Sequence, residues 1–178
     1  MKLYLVRHGQ TDFNAGDIAQ GVTDVPLNET GKAQARELAQ QVAKMDFDAY
    51  YVSPLTRARQ TAELITEGKP QFIVDELLKE RSFGELEGTK VDWGEVGDIF
   101  DRRVNFSGYG IEPIQDLLRR SQIFLEKLKA NHRPDDRILI VAHGALLRTM
   151  HFNIVGYDDN TDFPAFRFQN CEMREYTI

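Results

Sequence analysis

The feature that most restricts how this chain can fold is an alternation of period. Short apolar runs, too brief for helices, recur between longer segments with helical spacing. "KLYLVRH" (2–8), "DAYYVS" (48–53), "QFIVDE" (71–76) and "RILIVAH" (137–143) read as strands, the last being the most apolar. Between them, residues 29–45 place Ala35, Leu38, Ala39, Val42 and Met45 on one helical face. Residues 112–131 do the same with Ile114, Leu117, Leu118, Leu125 and Leu128. Strands separated by helices imply a mostly parallel sheet covered on both faces, so the expected fold is α/β, a three-layer α/β/α sandwich. The ending "FRFQNCEMREYTI" is rich in strand formers and has no helical period; a final strand is expected there, antiparallel at an edge. With 178 residues and no linker, repeat or low-complexity tract, a single domain over 1–178 is expected.

In such sheets ligands bind beyond the carboxyl ends of the strands, where helix N-termini converge. Four stretches meet that condition. "LYLVRHGQT" (3–11) ends a buried run with Arg7 and His8, and Gly9 then lets the backbone turn. "SPLTRARQTAEL" (53–64) offers Ser53 as a helix cap and Pro54 as the first helical residue. That places Arg57 and Arg59 near the positive end of the helix dipole, an unfavourable place for a cation unless an anion is bound there. "ELLKERSFGELEG" (76–88) brings Glu80 close to a strand end, while Glu85 and Glu87 read as a solvated loop. "LIVAHGALLRTM" (139–150) ends the most apolar strand at His143, with Gly144 opening an apolar helix. Either histidine alone could be a solvated or core residue; two strand ends sharing a His-Gly pair argue against coincidence.

Composition narrows the partners. A formal net charge of −6 disfavours a nucleic-acid partner, so attraction for an anion has to be local. Cys171 is the only cysteine, which fits a reducing compartment. No apolar stretch approaches the roughly 20 residues of a membrane helix, and no signal-peptide pattern is present. A cytoplasmic protein without membrane association is expected.

Two histidines, two arginines and a glutamate suit a tetrahedral anion. Guanidinium groups match phosphate oxygens, and phosphoryl transfer depends on positioning and charge stabilisation. A metal centre is the rival reading, but Arg7 and Arg57 would repel a dication, and no HExxH pattern occurs. "YDDNTDF" (157–163) lacks the glycine and closing glutamate of an EF-hand and reads as a solvated turn. Walker, Cys-x5-Arg and DxDxT patterns are absent. What remains is a neutral imidazole as nucleophile, kept uncharged by flanking cations, with Glu80 as proton donor. No cofactor and no metal is expected.

The motifs "RHGQTDFN", "QGVTDVPLNETGKAQA", "SPLTRARQTA", "LLKERSFGELEG", "VAHGALLR" and "FQNC" occur in this order along nearly the whole chain. In this the sequence resembles the histidine phosphatase superfamily, which includes the cofactor-dependent phosphoglycerate mutases. The resemblance implies that His8 forms a phosphohistidine, that Arg7, Arg57 and His143 hold the transferring phosphoryl group, and that Glu80 is the proton donor and later the base. It also implies that Asn14, Gln20, Gly21 and Gly144 line the phosphate site. Two departures stand out: "GIEP" (110–113) where relatives have Gly-Glu-Ser, which leaves Glu112 without an assigned role, and Ala145 where mutases carry Asn. Lys90, Arg102 and Arg103 read as solvated surface, His132 as a helix end and surface loop, and His151 as packing or amphipathic surface of a helix. Trp93 and Phe100 could cap the pocket or pack in the core. The expected function is hydrolysis of a small phosphorylated metabolite. A phosphoglycerate mutase and a catalytically silent phosphate-binding module are the alternatives.

Overall fold

The computed structural model describes residues 1–92 and 97–178. In chain order its elements are β1 (Lys2–Arg7), the short α1 (Asp12–Ala15), α2 (Glu29–Val42), β2 (Ala49–Val52), α3 (Thr56–Ile65) and β3 (Ile73–Val74). They continue with α4 (Ile114–Asn131), β4 (Arg137–Ala142), α5 (Gly144–Val155) and β5 (Met173–Thr177). Among the described residues the strands form one sheet in the order β3-β2-β4-β1-β5. β1 runs parallel to β4 from Lys2 opposite Arg137 to Arg7 opposite Ala142. β5 is antiparallel to β1 and forms the edge, as the composition of the C-terminal segment predicts.

The continuous apolar runs are explained by burial on both faces. Leu3 and Leu5, with Ile138 and Ile140, pack towards α4 and α5, which contribute Leu117, Phe124, Leu146 and Met150. Tyr4 and Val6, with Leu139 and Val141, pack towards Ala35 and Leu38 of α2 and Ala58 and Ala62 of α3. Successive strand residues point to opposite faces, so a strand between two helical layers has to be apolar at every position. The same division places the site. The chain leaves β1 towards the face of α2 and leaves the adjacent β4 towards the face of α5, which opens a cleft between their carboxyl ends.

Four expectations are corrected. The third strand covers only Ile73–Val74 rather than residues 71–76; both side chains are exposed, and Asp75 then caps a tight turn over Glu76–Leu78. α2 stops at Val42 instead of reaching residue 45, because Met45 already bonds back to Val42 in a turn. α4 starts after Pro113, leaving Glu112 outside it. Ser53 and Pro54 do not open α3. Leu55 holds the cap position without a side-chain bond, and Asp24 caps the helix from a distant loop, accepting the Thr56 N–H and hydroxyl at 2.7 Å each.

Replacing Leu5, fully buried in β1, by alanine is expected to cost about 2–5 kcal/mol. Ile123→Ala on the exposed face of α4 should stay within about 0.5 kcal/mol. Urea unfolding checks both, and equal losses would contradict the assignment of β1 to the double-faced core.

Candidate active site

The end of β1 turns sharply because Gly9 passes against another backbone: a Cβ there would sit 2.6 Å from the carbonyl oxygen of Gly31. Its N–H donates to the Thr61 hydroxyl of α3 at 3.0 Å, which fastens the turn. His8 is buried, and its Nδ1 lies 2.7 Å from the Gly9 carbonyl oxygen. A carbonyl only accepts, so Nδ1 carries the proton and Nε2 keeps its lone pair. Arg7 reaches the other way and donates Nη1 to the Phe168 carbonyl at 2.7 Å. Asn170, just before β5, donates to the His8 carbonyl at 3.0 Å.

Arg57 is fully buried in the first turn of α3. It donates Nη1 to the Thr23 carbonyl at 2.9 Å and Nη2 to the Gly21 carbonyl at 2.7 Å. The loop offering those carbonyls is fixed by Glu87. That carboxylate accepts from Val22 N–H, Thr23 N–H and Phe83 N–H at 3.1, 2.8 and 2.9 Å, and from the Thr23 hydroxyl. Gly21 is at φ +52°, and a Cβ would be 2.0 Å from Glu87 Oε1. Glu87 is therefore not the solvated loop residue its sequence context suggests, although Glu85 is exposed.

The end of β4 delivers His143, fully buried, with its ring centre 5.2 Å from that of His8. Its Nε2 is 2.7 Å from the Ser53 hydroxyl, which is where Ser53 is engaged instead of capping α3. Its Nδ1 is buried without a partner. Glu80 stands at the N-terminus of α5: Oε2 accepts from Ala145 N–H at 3.1 Å, and Oε1 from Leu146 N–H at 3.0 Å and Arg81 N–H at 2.9 Å. A carboxylate at a helix N-terminus is favoured by the exposed N–H groups and the dipole. Arg120 holds the chain around Glu80 by donating Nη1 to the carbonyls of Leu77 and Lys79 at 2.8 and 2.7 Å. Glu112 pairs with Arg120 in bidentate fashion at 3.0 and 2.9 Å, so its place is that of an anchor behind the Glu80 loop.

These elements enclose a cavity of about 330 Å³ walled by Arg7, His8, Arg57, Glu80 and Gly144. Asn14, Gln20 and Gly21 form a further part of the wall. Gln20 is held by the Thr11 hydroxyl at 2.8 Å, and Asn14 closes a capping box with Thr11 at the start of α1. His143 is not among the residues lining the cavity, but its ring stands beside that of His8, 5.2 Å between centres, with Nδ1 unpartnered. Phe100 is on it, whereas Trp93 lies outside the described residues. Arg148, Arg167 and Asn170 also face the cavity, unforeseen from sequence. For Arg148 a signal existed, since it lies one helical turn after Gly144. Lys90, Arg102 and Arg103 are elsewhere, the last two paired with Asp159 and Asp101. His132 is at a helix end as expected, capping α4, but is half-buried against the Tyr51 hydroxyl at 2.9 Å rather than on a free surface loop, and His151 stacks on Phe166. Asp158 bonds within its own turn, and no group of three or more His, Cys, Asp or Glu suited to a metal occurs among the described residues.

The electrostatics follow from burial. Removal from water, then the charges of Arg57 and Arg7, hold His8 well below its ordinary value of 6.5; burial and the same two arginines do so for His143. Burial lowers Arg57 to about 10, against the attraction of Glu80. Arg7 Nε, Arg57 Nε and His143 Nδ1 are buried without a hydrogen-bond partner, and such donors are costly unless an acceptor meets them. An oxyanion with several lone pairs, bound next to His8 Nε2, answers that need.

The sequence profile of the histidine phosphatase superfamily (branch 1) matches residues 3–178. The chain belongs to this superfamily. It is 37% identical over 155 residues to the "uncharacterized phosphatase PhoE" of Bacillus subtilis, covering 86% of this chain and 77% of that one. It is 35% identical to a 2,3-bisphosphoglycerate-dependent phosphoglycerate mutase of Gloeobacter violaceus, covering 83% of this chain and 73% of that one. Among solved structures, a mycobacterial glucosyl-3-phosphoglycerate phosphatase complexed with VO3 superposes with a TM-score of 0.86 at 27% identity, covering 98% of this chain and 91% of that one. A phosphoserine phosphatase of Entamoeba histolytica in complex with 3-phosphoglyceric acid does so with a TM-score of 0.79 at 31% identity, covering 98% and 89%. As a histidine phosphatase superfamily member, this chain has its Arg-His-Gly motif at the end of β1, inside the cavity. Among the described residues, no helix is long and apolar enough to cross a membrane.

Both site imidazoles stay neutral in the fold at pH values where the unfolded chain protonates them. Below about pH 6.5 each therefore lowers stability, by about 1.4 kcal/mol per pH unit, until its folded-state value is reached. His8→Asn and His143→Asn should each flatten the acid-side slope of stability measured by urea unfolding from about pH 6.5 to 5. Slopes parallel to the wild type would contradict buried neutral imidazoles.

Proposed function

We propose that this chain hydrolyses a small phosphomonoester through a phosphohistidine on His8. The observation that carries the reading is the bare Nε2 of a neutral His8, its other nitrogen bonded to Gly9, in a cavity walled by two arginines with unmet donors. The phosphatase names among its relatives and structural neighbours support the reaction class.

In this mechanism Arg7 and Arg57 direct guanidinium N–H groups at the phosphoryl oxygens, and the Gly144 N–H at the start of α5 adds another donor. His143 donates from Nδ1, because the Ser53 hydroxyl can donate to Nε2 and so leave the proton on Nδ1. Asn14, Gln20 and Gly21 bound the remaining side. With Glu80 entering the cycle as the carboxylic acid, the Nε2 lone pair attacks phosphorus, the ester P–O bond breaks, and Glu80 gives its proton to the departing oxygen, becoming the carboxylate. Oε2 suits this role, since it accepts only one backbone donor whereas Oε1 accepts two. Water then attacks phosphorus while Glu80 takes its proton, the P–N bond breaks, and inorganic phosphate leaves with His8 restored. The guanidinium charges do the work a metal would otherwise do, and they disfavour a dication at the same place.

Similarity to a mutase supports one alternative, in which the phosphoryl group returns to a substrate hydroxyl instead of water. A screen of phosphorylated metabolites without added metal separates the readings. The expected result is phosphate release from several esters, at least about a thousandfold slower in His8→Ala, and an acid-labile phosphoenzyme that accumulates in Glu80→Gln. Interconversion of phosphoglycerates dependent on a bisphosphate primer would replace hydrolase by mutase. Undiminished turnover in His8→Ala would refute both.

A further inference from the structure

Three sequence motifs carry residues that the phosphoryl-transfer scheme does not use: Gln34 in "QGVTDVPLNETGKAQA", Thr61 in "SPLTRARQTA" and Asn170 in "FQNC". In the fold all three meet the same short piece of backbone, the two peptide units joined at Gly9. The His8–Gly9 peptide is held at both ends. Its carbonyl accepts from Asn170 Nδ2 at 3.0 Å and from Cys171 N–H at 3.3 Å, and its N–H donates to the Thr61 hydroxyl at 3.0 Å. The Gly9–Gln10 peptide is held as well. Its N–H donates to Gln34 Oε1 at 2.9 Å, and its carbonyl is the one that faces His8 Nδ1 at 2.7 Å.

Those contacts matter because of the residue between them. Gly9 has no room for a side chain beside Gly31, and glycine is the residue least able to hold its own backbone in one conformation. Yet the tautomer of His8 depends on where the Gly9 carbonyl points. Once that carbonyl turns away, the ring is free to carry its proton on Nε2, the atom that has to attack. A peptide is planar, so its carbonyl and N–H turn together. By fastening the Gln10 N–H, Gln34 therefore aims the Gly9 carbonyl on the other edge of the same plane. Thr61 restrains the preceding peptide in the same way. Its hydroxyl proton is committed to the Arg57 carbonyl at 2.7 Å, so a lone pair faces the Gly9 N–H. Thr61 is fully buried on α3 and Gln34 half-buried on α2, and among the described residues neither lines the cavity.

We propose that Gln34 and Thr61 are positioning residues for the nucleophile: by clamping the two peptides around Gly9 they keep the His8 proton on Nδ1 and leave Nε2 bare. This deepens the phosphohistidine reading above and rests on it. Neither side chain reaches the phosphoryl group, so holding the anion is left to the arginines, while the rate of attack depends on the clamp.

The test uses the full chain, with p-nitrophenyl phosphate as the ester, inorganic phosphate as the competing anion and nitrogen-15 NMR of the histidine rings. In Gln34→Leu, kcat/KM is expected to fall about tenfold, with the inhibition constant for phosphate within about twofold of wild type. The His8 ring of that variant should carry part of its proton on Nε2. Gln34→Glu restores an acceptor and should bring kcat/KM back to within about threefold of wild type. Thr61→Val should lose at least as much as Gln34→Leu, and Thr61→Ser should recover it. If Thr61→Val does not fold, the Gln34 pair decides the matter, because that side chain is only half-buried. A His8 ring in Gln34→Leu unchanged from wild type, or a Gln34→Glu variant as impaired as Gln34→Leu, overturns the clamp. If the wild type hydrolyses no ester, the phosphohistidine reading fails. The His8 tautomer in the Gln34 variants then still tests the clamp, a shift towards Nε2 supporting it and an unchanged ring overturning it.

Discussion

Arg57, fully buried, and Arg7, half-buried on the cavity wall, set their charges near two buried imidazoles, and holding that concentration of positive charge is the constraint around which the rest of the structure is arranged. Like charges in a desolvated space repel, and they suppress protonation of any histidine beside them. On the proposed mechanism this prepares the nucleophile: His8 is uncharged, its proton is committed to Gly9, and Nε2 faces a space lined with donors. The same charges that keep the imidazole neutral are the ones that complement a phosphoryl group. In the proposed reaction one arrangement would thus serve both the attacking atom and the place its target occupies.

Holding the cations is the work of backbone carbonyls more than of carboxylates. Arg57 is fixed by the carbonyls of Gly21 and Thr23, Arg7 by that of Phe168, and Arg148 by that of Phe166. Carbonyls position a guanidinium without neutralising it, which leaves the charge available to a ligand. Carboxylates are used one step further out. Glu87 fastens the loop that holds Arg57, Asp24 caps the helix that carries it, and Glu112 with Arg120 anchors the turn that presents Glu80. Glu80 is a carboxylate kept on the same cavity wall as His8, tied to the N-terminus of α5 by peptide N–H groups.

The order of strands makes this assembly possible. β1 and β4 are parallel neighbours whose following helices go to opposite faces, so His8 and His143 emerge side by side. That much was legible in the sequence, because continuous apolar runs ending in His-Gly mark buried strands whose carboxyl ends open at a site. The wall residues Asn14, Gln20, Gly21 and Gly144 were legible through the family resemblance. Contacts set by loops were not. The roles of Glu87, Asp24 and Ser53 depend on where segments distant in sequence meet, and no local pattern encodes that. Ser53-Pro54 looks like a helix start by cap chemistry, yet His143 engages Ser53 and tertiary contact overrides the local preference. The third strand was overestimated for a similar reason, since its apolar residues lie at an exposed edge where little burial supports pairing.

The central claim, an uncharged His8 with its proton on Nδ1, is measured most directly by nitrogen-15 NMR of the histidine rings in the full chain. At neutral pH the account predicts a neutral His8 with a protonated Nδ1 and a bare Nε2, the latter shifting when inorganic phosphate is added. An imidazolium at that position, or a neutral ring protonated on Nε2, would contradict it.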